Sequence, residues 1–258
     1  MIGEEEIAGH DTVDQVVRLT KEPLIIGITT NNFGSTQLDS PKDVRHNNEL
    51  LRMLNADYWV KMRAKHSDRI VFVTKDINDY HDCDALVFCL RNSHQKPLGL
   101  ANTADCSIVI IYDRFRTCFA LVHSGWKGSL LNIVGKTVTA IESELKIKAM
   151  ALNAYIWPGI CKYDYQVGKE FVNHFHKHVY FADSILKLDQ KAVITDQLIQ
   201  AGLDSARIKS SSLCSFHTIY KELSLFHSYR RDNQYYTGPL RESHNKRRNC
   251  VFVTPDVI

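Results

Sequence analysis

Two apolar runs, SIVIIY (107–112) and TCFALV (117–122), flank the four residues Asp113-Arg114-Phe115-Arg116. Apolar runs of this length either side of so short a turn read as a β-hairpin. If the turn is symmetric, residue 112 faces 117, and each step outward pairs the next two residues. Six steps out, Cys106 faces His123. Directly opposed residues hold their Cβ atoms about 4.5–5.5 Å apart. The hairpin therefore brings a thiol and an imidazole together at its open end, where loops begin.

The rest of the chain supports an α/β domain with a mixed sheet. Strands are expected at 24–29, 58–65, 69–74, 84–90, 154–157, 207–213 and 249–254. A helix is expected from Ser40-Pro41-Lys42-Asp43 to about Leu54, with Ser as N-cap and Pro in the first turn. After the hairpin, Leu131, Val134, Val138, Ile141 and Leu145 recur at helical spacing. Further helices are expected from about Asp164, with Val167, Phe171 and Phe175 on one face, and from Asp189 to Ala201, stopped by Gly202. Residues 1–22 read as an N-terminal arm, and 23–258 as one domain without linker or internal repeat. An Arg- and His-rich stretch (227–248) is read as a loop between strands.

Composition excludes several classes. With 258 residues, 44% of them hydrophobic, and a net charge of +3, the chain is not a disordered polymer. The same small charge gives no argument for nucleic acid. The opening MIGEEEIAGHD is acidic and lacks the apolar core of a secretory signal. No run approaches the roughly 18 apolar residues of a membrane span. Seven cysteines at irregular spacing, with no C-x-x-C pair, argue against a disulfide framework and fit a reducing cytoplasm. Twelve histidines are the one compositional oddity.

Two chemistries use a Cys–His pair such as Cys106–His123: a nucleophile dyad, or two ligands of a zinc ion. A metal needs a third ligand, and His66, at the junction of two expected strands, is a candidate. The Ser-Gly-Trp-Lys-Gly turn after His123 would let a ligand approach backbone N–H groups. Asp105 is placed to orient a ligand from behind. The bland reading of Cys106 is a small buried apolar residue.

Other chemistry-bearing residues read more plainly. Cys214-x-x-His217 has ligand types at short spacing; a structural role, or one supporting the pocket from behind, is the default over metal binding. His174, His176 and His178 alternate on an expected helix, point to different faces, and read as solvated. His244, Lys246, Arg247 and Arg248 form a basic patch that suits phosphate or a charged loop. Trp126, Tyr163 and Tyr165 would suit stacking on a purine, with buried packing the default.

TADCSIVIIYD (103–113) and ALVHSGWKG (120–128) resemble the two signature blocks of the polyphenol oxidase/laccase-like family, T-A-D-C-x-P-V and H-A-G-W-R/K-G. Many of its members are regarded as purine nucleoside phosphorylases, and some bacterial relatives as peptidoglycan-editing factors. NFGSTQLDSPKDVRHN (32–47), KHSDRIV (65–71), DAL (84–86), PGICKYDYQVG (158–168) and LCSFH…FHSYRRDN (213–233) resemble further blocks in the same order. The resemblance runs from about residue 24 to the end. It implies a metal triad at His66, Cys106 and His123, with a fourth position open, and an α/β sandwich similar to that of Cys–His toxin deamidases. The chain departs from the pattern in its first loop, at Thr36 and Leu38, and at Asn48 and Ala64. Those departures bear on substrate choice.

The activity so implied is zinc-dependent phosphorolysis of a purine nucleoside by phosphate, with adenosine deamination as a related activity. Arg230 and Arg231 are expected to clamp phosphate, with Asn47 of the N-terminal block also expected to bind substrate. Three alternatives stand beside it. One is amide hydrolysis of peptidoglycan precursors by the Cys–His pair or its metal. Another is copper-dependent phenol oxidation, weakened because the two blocks supply one three-ligand site only. The third is a non-enzymatic metal-bound interaction protein. Nucleic acid and membrane are not expected partners, and oligomeric state is left open.

Overall fold

In a strand, successive side chains point to opposite faces, so a strand apolar on both faces must be covered twice. The computed structural model shows how this chain covers them. It describes residues 12–13, 16–20, 24–33 and 41–256, except 92, 116, 221, 236, 239–241 and 243–245.

The strands are β1 (Thr12–Val13), β2 (Val16–Thr20), β3 (Leu24–Thr29), β4 (Tyr58–Arg63), β5 (Ile70–Val73), β6 (Asp79–Asp82), β7 (Ala85–Cys89), β8 (Pro97–Thr103), β9 (Ser107–Asp113), β10 (Cys118–Ser124), β11 (Leu152–Ile156), β12 (Val179–Ala182), β13 (Ile185–Leu188), β14 (Ile208–Ser210), β15 (Ile219–Tyr220), β16 (Leu223–Ser224) and β17 (Asn249–Pro255). The helices are α1 (Pro41–Met53), α2 (Trp126–Leu130), α3 (Ile133–Leu145), α4 (Glu170–Phe175), α5 (Gln190–Gln200) and α6 (Tyr229–Tyr235).

Two mixed sheets stack face to face. The first has the order β1-β2-β3-β17-β8-β4-β6, and the second β14-β11-β9-β10-β7-β5. Val60, Met62 and Ala101 of the first meet Leu86, Ile110 and Leu121 of the second in one core. The outer face of the second sheet packs Val87, Val109 and Val122 against Val134 and Ile141 of α3 and Leu198 of α5. The outer face of the first packs Trp59, Leu100 and Phe252 against Leu50 of α1. The result is a single α/β domain in four layers, helix–sheet–sheet–helix. Between the sheets, Phe88 and Phe119 stack at 4.5 Å. A Cβ on Gly99 would stand 2.6 Å from Leu121 and 3.0 Å from Phe88, so this strand needs glycine where it crosses that pair.

Several elements differ from the sequence reading. The expected arm contains β2, whose Val16 and Val17 are fully buried on opposite faces of the sheet, in two different cores. β8, buried along its whole length, was not anticipated, nor was β6. The helix after the hairpin is two helices. Asn132 is left-handed (φ 55°), and its side chain accepts the Gly135 N–H as a new N-cap, leaving Leu131 exposed. The helix placed at Asp164 starts at Glu170, because the chain before it is extended along β13, with Val167 N–H donating to Leu186 O. The strand placed at 207–213 is only Ile208–Ser210. Arg230 and Arg231 lie at the start of α6 rather than in a loop. Ser40, Arg116 and His244 lie outside the described residues. Among those residues, no helix is long and apolar enough to cross a membrane.

Candidate metal centre

β8 belongs to one sheet and β9 to the other, so the chain between them must cross the sandwich in three residues, Ala104 to Cys106. The crossing is tight. Asp105 is left-handed (φ 83°), and Thr103 Oγ1 donates to Cys106 O at 2.5 Å. Cys106 is thus fixed at the end of the sandwich. His123, one residue before the end of β10, arrives from the second sheet, and His66 from the loop after β4 of the first. Their ligand atoms all lie within 4.8 Å of one another.

The pairing that brings them there is not the expected one. The hairpin pairs Phe119 with Tyr112 and His123 with Ile108, a shift of two residues. Asp113 causes the shift: its carboxylate accepts the N–H groups of Phe115, Thr117 and Cys118, so the turn begins one residue later and ends one later. Cys106 therefore sits beyond the strand, across from Gly125. A Cβ on Gly125 would stand 2.7 Å from Cys106 Sγ. Glycine at this position makes room for the thiol, the role that the small-residue turn plays here.

Asp84 organises the site, and the sequence reading gave it no role. Its buried carboxylate accepts the N–H groups of Lys65, His66 and Ser67 and the Ser67 hydroxyl. These bonds hold His66 in a left-handed conformation (φ 58°). Asp84 Oδ1 also lies 2.9 Å from His123 Nδ1, which fixes that ring and turns Nε2 toward the thiol. A carboxylate behind a ligand histidine is a recurrent device of metal sites. Asp105, expected in that role, instead accepts Ser215 Oγ (2.6 Å) and the Arg230 N–H (2.7 Å), tying loops around the site.

The electrostatics suit a ligand set. Burial alone would raise the Cys106 thiol, but the neighbouring charge and hydrogen bonds of His123 and His66 bring it down to about 6. Burial would lower His123, but the Cys106 and Asp84 charges raise it to about 9. Against the cost of burial, hydrogen bonds from His123 and Ser67 hold Asp84 well below the usual carboxylate range. One sulfur and two imidazoles at this separation fit a borderline-soft divalent ion with a fourth position left open.

The three donors open into a cavity of about 980 Å³. Trp126 and Phe171, 5.2 Å apart, form an aromatic wall with Tyr165. Arg230, Lys246 and Arg248 give a cationic side, the Arg230 guanidinium lying 5.6 Å from the Tyr165 ring. Two expected substrate residues are elsewhere. Asn47 lies on the buried face of α1, where its side chain accepts from Lys61 Nζ and donates to the Tyr80 hydroxyl. Arg231 spends its guanidinium on the carbonyls of Ser215, Phe216 and Phe226. Tyr163 is exposed away from the cavity. His174 and His176 are exposed as expected, while His178 pairs with Asp196 at 3.1 Å. Cys214 and His217 lie outside the cavity, with Cys161 and Asp164.

Residues 25–241 match the family model described as multi-copper polyphenol oxidoreductase laccase. The chain belongs to this family. A purine nucleoside phosphorylase of Clostridium acetobutylicum is 29% identical over 207 residues, covering 79% of this chain and 82% of that protein. An adenosine deaminase from an unknown prokaryotic organism is 28% identical over 183 residues, covering 63% and 67%. The crystal structure of the hypothetical protein YfiH of Bacillus licheniformis superposes with a TM-score of 0.77 at 23% identity, covering 93% of this chain and 96% of that one. That likeness shows the shared fold.

Proposed function

We propose that the chain is a zinc-dependent purine nucleoside phosphorylase, cleaving a purine nucleoside with phosphate into free base and pentose 1-phosphate. One observation carries the reading: aromatic and cationic side chains line the same cavity as His66, Cys106 and His123. The likeness to purine nucleoside phosphorylases supports it.

Phosphorolysis passes through a cation-like sugar, so phosphate must be held beside C1′ while the base leaves. Arg230, Lys246 and Arg248 supply positive charge and N–H donors for a phosphate dianion. Trp126 and Phe171 offer ring faces to a planar base. Tyr165, buried under the Arg230 guanidinium, keeps that cation directed along the wall. Asp84 keeps the His123 ring from rotating as charge shifts nearby. A zinc held by His66, Cys106 and His123 would supply Lewis-acid charge, and in deamination a water whose pKa falls to about 7.

Adenosine deamination is the second reading, supported by the relative of that name. The two separate by their need for phosphate. With zinc-loaded wild type, adenosine and inosine give free base and pentose 1-phosphate only when phosphate is present. Cys106→Ala lowers this turnover more than about 100-fold, beyond the cost of an outer partner of a metal ligand, while circular dichroism is unchanged. Phosphate-independent conversion of adenosine to inosine, with no base released, would replace the first reading by the second.

A further inference from the structure

β11 and β14 run parallel and adjacent at one edge of the second sheet, so the segments leaving their C-terminal ends start side by side. They stay together. Ser211 N–H donates to Ile156 O, and Ser215 N–H donates to Gly159 O. Cys161 and Asp164 lie on the first segment, Cys214 and His217 on the second. Their four ligand atoms all lie within 4.8 Å of one another. Asp164 Oδ2 is the meeting point: it is 3.2 Å from Cys161 Sγ, 3.4 Å from Cys214 Sγ and 2.5 Å from His217 Nδ1. Cys161 Sγ is 3.8 Å from His217 Nδ1. Cys214 is wholly buried, and the other three are half-buried.

We infer that these four side chains form a second metal site, a closed Cys₂HisAsp zinc centre separate from the cavity. Two thiolates with an imidazole select zinc over magnesium or calcium, which prefer oxygen. Zn–S bonds of about 2.3 Å and Zn–N/O bonds of about 2.0–2.1 Å set tetrahedral donors roughly 3.3–3.8 Å apart; the Cys214–Asp164 and Cys161–His217 contacts already show that spacing, Cys161–Asp164 is close to it, and Asp164 and His217 would have to part to admit the ion. With four protein donors no coordination position is left for substrate, so the centre is structural. Its place explains what it would hold. The first segment carries Ile160 and Tyr165 to the cavity wall. The second carries Ser215, which bonds Asp105 beside Cys106, and the carbonyls of Ser215 and Phe216 that anchor Arg231. The ion would staple the two segments and fix that wall.

Zinc content of the purified full chain, after dialysis against a weak chelator, tests this. Wild type is expected to hold two zinc ions, Cys106→Ala one, and the Cys161→Ser/Cys214→Ser double variant one. Cobalt substitution adds a count of thiolates: charge-transfer absorption should split one to two between the cavity site and this one. If the double variant fails to fold, His217→Ala, which keeps three donors, should lose one zinc to chelator faster than wild type. One zinc lost from the double variant but kept in Cys106→Ala would support this site while removing the metal from the cavity. A single zinc lost only from Cys106→Ala would overturn the second site. So would a Cys161–Cys214 disulfide in freshly purified, unoxidised protein.

Discussion

The two donor clusters of this chain are built from the same residue types and differ in what surrounds them. At the cavity, two donors come from loops that cross between the sheets and the third from the end of β10, and the carboxylate that organises them, Asp84, stands behind them as a hydrogen-bond acceptor. In the Cys161 cluster, two loops supply four donors, and the carboxylate, Asp164, stands among them. One arrangement leaves a coordination position facing an open cavity; the other closes on itself. The contrast teaches that ligand type alone does not tell a reactive site from a staple. The number of protein donors and the place of the carboxylate do.

Asp84→Ala should produce the largest effect on this comparison. It leaves three backbone N–H groups without an acceptor and removes the partner of His123. The expected cost is about 3–5 kcal/mol in urea unfolding, with metal lost from the cavity site and retained in the other. Equal loss from both sites would show that the two are not independent.

Adjacent arginines give the next test. Arg231→Ala strands three carbonyls and should lower stability by about 2–3 kcal/mol, with the KM for phosphate little changed in what remains folded. Arg230→Ala should do the opposite, raising the KM for phosphate about tenfold at nearly constant stability. The reverse pattern would put the phosphate clamp on Arg231. Gly125→Ala is the smallest change, because it pushes Cys106 Sγ without removing a ligand. It should weaken metal binding at the cavity site about tenfold and leave the Cys161 cluster untouched, as competition with a chromophoric chelator would show.

How far the sequence discloses this can be judged residue by residue. The meeting of Cys106 and His123 follows from two apolar runs and a short turn, and survives a register shift of two residues because both side chains lie at the same end of the sandwich. The shift itself is set by Asp113 side-chain bonds to the turn, which no periodicity reports. β8 was missed because Gly99 and Asn102 dilute its apolar character, although its whole length is buried. Asp84 sits in a recognisable block, but its work is done through backbone N–H groups, which carry no residue signature. Asn47 and Arg231 have the right chemistry for substrate, and buried partners claim them first. Cys161 and Cys214 are 53 residues apart, and only the parallel pairing of β11 with β14 puts them together.

Anomalous diffraction at the zinc edge, from crystals of wild-type protein grown with phosphate, tests the central claim most directly. The account predicts a peak held by His66, Cys106 and His123 whose remaining ligand comes from solvent or phosphate rather than from the chain. A bare site at those three side chains, or an ion there enclosed by a fourth protein donor, would contradict it.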